Sequence, residues 1–136
     1  MDLNSRKIID WSMDKTMKTD LVLDAMKMAL QRRKASPGLL FHSDRGSQYA
    51  SRSFQDYLKG YDVSQSMSRK GNCWDNACSE SFFGTLKREY CDRVFKSRKE
   101  ASHAIFEYIE VFYSRQRLHS SLGYLSPEQF EQQYVA

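Results

Sequence analysis

The chain has 136 residues, a formal net charge of +4 and 13% aromatic residues, so it makes at most one ordinary domain with a real core. Hydrophobic residues at 40% argue against disorder, no secretory leader is recognisable, and no apolar run reaches the roughly 18–20 residues of a membrane span. The three cysteines, Cys73, Cys78 and Cys91, form no C-x-x-C or C-x-x-H pair and read as reduced, packing thiols of a cytoplasmic protein.

Residues 7–13, KIIDWSM, alternate. Ile9, Trp11 and Met13 share one face and Ile8, Asp10 and Ser12 the other, which predicts a strand. A helix follows, with Val22, Ala25, Met26, Ala29 and Leu30 at helical spacing, Thr19 or Asp20 as its cap, and Pro37-Gly38 closing the region. GLLFHSD is an unbroken apolar run, the pattern of a strand covered on both faces. SRSFQDYLKGY sets Phe54, Tyr57, Leu58 and Tyr61 on one helical face, and VSQSMS alternates as another strand.

After the polar loop RKGNCWDN, residues 77–90 place Phe82, Phe83, Leu86 and Tyr90 on one helical arc. Ser97 and Glu100 form a capping box that opens a long helix with Ala101, Ala104, Ile105, Tyr108 and Phe112 inward. Ser126 and Gln129, with Pro127 between, form a second box before a short last helix. Strands alternating with helices predict an α/β layer fold with a small sheet. Charge is uneven: Lys87, Arg88, Arg93, Lys96, Arg98 and Lys99 crowd one stretch against Glu89 and Asp92, and Arg32, Arg33 and Lys34 form a lesser cluster. Such a stretch is either a solvated surface or a face for a polyanion.

Ligand sites in open α/β sheets gather beyond the carboxyl ends of strands, where Asp44 falls. An aspartate two residues before a glycine reads first as a turn former. Glu80 lies outside the apolar arc of its helix, with Lys87 two turns on and Asn76 one turn before. That row is either a solvated face with a weak Glu–Lys arrangement or a carboxylate for a divalent cation beside a phosphate-binding lysine. The residues alone leave both readings open.

FHSDRGSQY, SMSRKGNCWDNACSESFFGTLKREY and YIEVFYSRQRLHSSLGYLSPEQF resemble the catalytic core of bacterial insertion-sequence transposases of the DDE superfamily, which includes retroviral integrases. In that family 35 residues separate the second and third acidic residues, and 35 residues lie between Asp44 and Glu80 here. The resemblance implies that Asp44 is the second carboxylate, Glu80 the third, and Lys87 the basic residue seven positions later. It implies a ribonuclease-H-like fold and Mg²⁺ or Mn²⁺ at Asp44 and Glu80, with two ions in the complete site. The implied chemistry is phosphoryl transfer that cleaves and joins DNA at transposon ends and targets. Lys87, Arg88, Arg69, Lys70, Asn76 and Trp74 become candidate DNA contacts, and the parent enzyme is expected to be a homo-oligomer in the bacterial cytoplasm, near the nucleoid.

One segment departs. The family's first aspartate lies in a strand resembling W-x-T-D-I-T-Y, and no such segment occurs here. The opening MDLNSRKIIDWSM resembles the end of the second strand, a tight turn and the third strand, with Asp2 a turn residue and not one of the catalytic three. Residues 1–136 are thus expected to be a partial integrase-type core, lacking the first strand and part of the second, with a helical C-terminal extension from about 97–136. Two carboxylates of three predict little activity from the chain alone. The alternative is a DNA-binding or subunit-interaction remnant that inhibits an intact transposase. A missing central strand would strand backbone groups at about 1–3 kcal/mol each when buried, against a total stability of roughly 5–15 kcal/mol, so a marginal, rearranged or oligomeric chain is expected. His42 reads as a supporting or packing residue, Phe112 and Tyr113 as core, and YSRQRLHSSLGY equally as a DNA or subunit contact or as a polar connection between helices.

Overall fold

Helix α1, Thr19–Arg32, packs Met26 and Leu30 inward with Val22 and Leu23 at the margin. Its cap position is Lys18, which has extended backbone and no side-chain cap bond. Thr19 and Asp20 are already helical, so neither caps; Asp20 instead lies in the first turn, where a carboxylate suits the helix dipole. The computed structural model describes residues 1–136 except Ala35, Gly71, Asn72 and Ala136, and the side chains of Cys73 and Val135.

Two compact units emerge, one of Ile9–Ala77 and one of Met1–Ile8 with Cys78–Ala136. In the first, β1 (Leu40–Ser43) pairs in parallel with β2 (Ser64–Met67), and Leu40 sits opposite Ser64 and Ser43 opposite Met67. A single turn α2 (Ser47–Ala50) and helix α3 (Arg52–Gly60) make the crossover. Ser51 caps α3 by accepting the Phe54 N–H at 3.3 Å. Phe54, Leu58 and Val63 join Met26 and Leu30 in one cluster. Phe41, Tyr49 and Phe54 stack with centroids 5.4–6.0 Å apart.

Three expectations change here. Residues 7–13 form no strand: the described residues hold one two-stranded sheet, and the segment has no ladder partner in it. Alternation creates faces, but only a neighbouring backbone makes a strand. Its carboxylate Asp10, 6% exposed, is held by Arg32 at 2.9 Å. Nor is β1 covered on both faces, since Leu40 is 62% exposed. Tyr61 is half exposed and stacks on Tyr57 rather than entering the core.

In the second unit, Asp2 accepts the N–H groups of Asn4 and Ser5 while its own N–H donates to the Lys7 carbonyl, closing the expected tight turn. Helix α4 (Ala77–Glu89) buries Phe82, Thr85 and Leu86, whereas Phe83 is exposed and only stacks on Phe82. Helix α5 (Arg98–Phe106) is capped by Ser97, which accepts the Glu100 N–H, while the Glu100 carboxylate accepts the N–H of Lys96 and not that of Ser97, so only half of the expected box forms; the helix runs on as a π-helical segment, Glu107–Tyr113. Ser114 N–H bonds the Ile109 carbonyl and Arg117 N–H the Phe112 carbonyl, both five-residue steps. The wider turn shifts the inward register by one, so Tyr113 is buried and Phe112, expected in the core, is 38% exposed. Helix α6 (Pro127–Val135) starts from the reciprocal Ser126–Gln129 box.

Candidate active site

Strands β1 and β2 end side by side, and the candidate residues of the first unit collect just beyond them. Asp44 is the first residue after β1 and is exposed. Its Oδ1 accepts the Gly46 N–H at 2.8 Å, the turn that the Asp-x-Gly spacing announces. The seat of the carboxylate also depends on that glycine. A Cβ on Gly46 would lie 2.9 Å from Asp44 Oδ1 and 2.8 Å from Gln48 Oε1. Gln48 is itself tethered, donating to the Met17 carbonyl at 2.8 Å. Arg45 reaches across to the Ser68 carbonyl at 2.9 Å and so joins the two strand ends. Burial, then the Asp44 charge, raises the Tyr49 phenol above its ordinary range.

Past β2, Arg69 grips Asp75 with its backbone N–H at 2.9 Å and its guanidinium at 3.1 and 3.2 Å. The Arg69 side-chain and backbone bonds hold the Asp75 carboxyl below the usual carboxylate range. Arg69 is thus paired with Asp75 while its side chain stays 77% exposed. Asn76 belongs to the 3₁₀ turn Cys73–Asn76, not to α4, and its amide donates to Ser68 Oγ at 3.2 Å. The expected row of Asn76, Glu80 and Lys87 on one helix therefore loses its first member. Trp74, in the same turn, is 83% exposed, and Lys70 is exposed. The GNCWDNA loop begins outside the described residues, at Gly71 and Asn72. His42 Nδ1 lies 3.1 Å from Ser66 Oγ across the strands, and its buried Nε2 has no hydrogen-bond partner among the described residues.

In the second unit, Glu80 stands exposed in the first turn of α4, and Lys87 and Arg88 are exposed in its last. These cations suit the negative end of the helix dipole, and Glu80 suits the positive end. The motif YSRQRLHSSLGY is built into the fold. Arg117 pairs with Glu89 through contacts of 3.0–3.2 Å, and the fully buried Tyr108 donates its hydroxyl to Glu89 at 2.9 Å. Burial raises the Glu89 carboxyl, but Arg117 and Tyr108 outweigh it and the net shift is downward. His119 stacks edge-on against Tyr113 at 4.9 Å and bridges Leu125 through backbone. Burial, then the charges of Arg117 and Arg6, holds the imidazole below its ordinary pKa. Among the two readings of this motif, these contacts are those of a helix connection. Nothing in the sequence announced the Glu89–Arg117 pair, whose members lie 28 positions apart. Nor did it announce the contact between the Arg6 guanidinium and the Cys78 sulfur.

The donor chemistry suits a hard divalent cation, since Asp44 and Glu80 offer exposed carboxylate oxygens. Among the described residues, no group of three or more His, Cys, Asp or Glu side chains comes together to hold one. Each is the kind of donor that Mg²⁺ sites use, where one or two protein carboxylates share the ion with substrate oxygens.

The parallel strand pair with its helical crossover fits a ribonuclease-H-like, integrase-type α/β fold, and the comparisons with known proteins bear that fold out. The chain belongs to the integrase core domain family: residues 1–73 match one integrase core domain description and residues 80–135 a second. It is 48% identical over 132 residues to the transposase for insertion sequence element IS904 of Lactococcus lactis, covering 96% of this chain and 52% of that protein. It is 49% identical over 137 residues to the transposase InsF for insertion sequence IS3fB of Escherichia coli K12, covering 48% of that protein. The chain thus spans about half the length of these curated relatives. Its fold also matches a chain in the cryo-EM structure of the simian T-cell lymphotropic virus intasome in complex with PP2A regulatory subunit B56 gamma. That match has a TM-score of 0.65 at 15% identity and covers 86% of this chain and 41% of that one. No described helix is long and apolar enough to cross a membrane.

Proposed function

We propose that this chain is part of the catalytic core of a transposase that cleaves and joins DNA by metal-dependent phosphoryl transfer. The observation that carries the reading is the placement of Asp44. It is a carboxylate beyond the carboxyl end of a parallel strand, fixed by Gly46 N–H, in a member of the integrase core family with Glu80 at the family's spacing. Asp44 and Glu80 would hold Mg²⁺ or Mn²⁺, two ions in the complete site, and the metal would supply charge neutralisation for an in-line displacement at phosphorus. The protein's own work is positional. Gly46 N–H orients the Asp44 carboxylate, Lys87 and Arg88 attract phosphates, Lys70 adds charge, and exposed Trp74 offers a face for a base or sugar. Arg69 and Asn76 shape the loop that carries Trp74. In this reading residues 1–136 form a partial core with a helical extension from about 97–136, working on DNA in the bacterial cytoplasm as part of a homo-oligomer.

The test uses purified protein, Mn²⁺ and a labelled DNA duplex. Asp44→Asn and Glu80→Gln should each abolish any cleavage; cleavage that survives both overturns the assignment. A second reading is a DNA-binding or subunit-interaction piece without chemistry of its own. The match of only two carboxylates, Asp44 and Glu80, to the family's three supports it. On that reading the 136-residue chain joins no DNA ends and, mixed with an intact transposase of the same element, slows it. Efficient joining by the chain alone would exclude it.

A further inference from the structure

The stretch from Lys87 to Lys99 carries six cations against two carboxylates, Glu89 and Asp92. Lys87, Arg88, Arg93, Lys96, Arg98 and Lys99 are all exposed. Elsewhere Lys7, Lys27, Arg32, Arg52, Arg69, Arg115 and Arg117 each reach a carboxylate within ion-pair distance. None of these six does so among the described residues. The nearby carboxylates are already committed. Glu89 is taken by Arg117 and Tyr108, and Glu100 accepts the Lys96 backbone N–H at 2.7 Å to cap α5. Asp92 alone remains in the stretch.

The energetics of the connection are unfavourable by themselves. Arg98 and Lys99 sit in the first turn of α5, where the helix dipole repels cations. Like charges on a short connection repel one another as well. Such an arrangement gains when a polyanion covers it and its counterions are released. Arg93 lies over the Phe95 ring at 5.2 Å, which stiffens the middle of the loop. Between them Val94 is 96% exposed, an apolar group that a groove edge would cover. A membrane surface fits less well. An interfacial helix needs an apolar face, and the inward residues of α5, Ala101 and Ala104, are already buried in the protein.

We infer that the α4–α5 connection, through Arg93, Lys96, Arg98 and Lys99, is a second DNA-contacting surface that grips the phosphate backbone of duplex DNA. It lies outside the loop contacts assigned above and rests on the DNA-acting reading of the chain.

The experiment measures binding of the 136-residue chain to a fluorescent duplex of about 30 base pairs, across about 50–200 mM NaCl without divalent metal, by anisotropy. The quadruple variant R93A/K96A/R98A/K99A should lose about 3–4 from the slope of log K against log salt, at about 0.9 for each phosphate contact. A charge-keeping variant, R93K/K96R/R98K/K99R, should bind like the original, which separates lost charge from lost folding. Lys15→Ala with Lys59→Ala, exposed lysines elsewhere, serves as the comparison and should change the slope far less. An unchanged slope in the quadruple variant overturns this surface while leaving the DNA-acting reading intact. Absence of any duplex binding at low salt overturns both. Stronger binding to phosphatidylserine vesicles than to duplex would also overturn it.

Discussion

At Gly46 a hydrogen atom decides where a carboxylate points. Its φ of −55° is open to any L residue, so the requirement is space and not backbone strain. Gly46→Ala would drive a methyl group against Asp44 Oδ1 and Gln48 Oε1. Both are side-chain ends that can swing away, so the global cost should stay within about 1 kcal/mol. The carboxylate, however, would leave its position. The expected result is a melting temperature near that of the original with several-fold weaker Mn²⁺ binding, read by electron paramagnetic resonance. Unchanged Mn²⁺ binding would show that Asp44 needs no such seat. The Asp-x-Gly turn was legible in the sequence because it is a local bond between neighbours. The crowding above Gly46 was not, because Gln48 is aimed there by Met17, 31 positions away.

At the scale of elements, α5 and its π-helical continuation show what a register shift does. A regular helix would present Phe112 inward; the wider turn presents Tyr113 and lets the buried Tyr108 aim its hydroxyl at Glu89. Glu89 in turn fastens the end of α4 to the segment after the π turn through Arg117. Glu89→Ala would leave the Tyr108 hydroxyl buried without an acceptor, at about 1–3 kcal/mol. In the double variant with Tyr108→Phe the loss should be smaller than the sum of the two single losses, because no stranded hydroxyl remains. Urea unfolding of the four proteins checks this, and additive losses would mean the two side chains do not act together. Periodicity located these helices and their caps well, since capping is local. It could not foresee a π turn, which is stabilised by what packs on either side.

For the molecule as a whole, acid should weaken the fold in two stages. His119 has a lowered folded pKa, from burial and then Arg117 and Arg6. Below its ordinary value of 6.5 the unfolded chain binds a proton that the folded chain refuses, so stability falls as pH drops through that region. Glu89, lowered on balance, adds a second loss as pH falls below its ordinary 4.5, when the unfolded carboxylate protonates first. Thermal melts from pH 8 to pH 4 should show declining midpoints, with the first stage missing in His119→Gln. A His119→Gln profile that keeps the drop near pH 6 would assign it to another group.

The sequence by itself determined the family and its spacing, the caps at Ser97 and Ser126, the positions of the two paired strands and the turn at Asp44. These depend on residue order over short distances or on motifs that survive comparison. Tertiary structure decided the rest. Residues 7–13 alternate like a strand but have no strand neighbour, and a ladder needs two backbones. Asn76 left the expected helix row for Ser68, Arg69 found Asp75 as a partner, and Arg117 found Glu89. A side chain's partner is set by which elements the fold brings together, and an isolated sequence window contains only one of them.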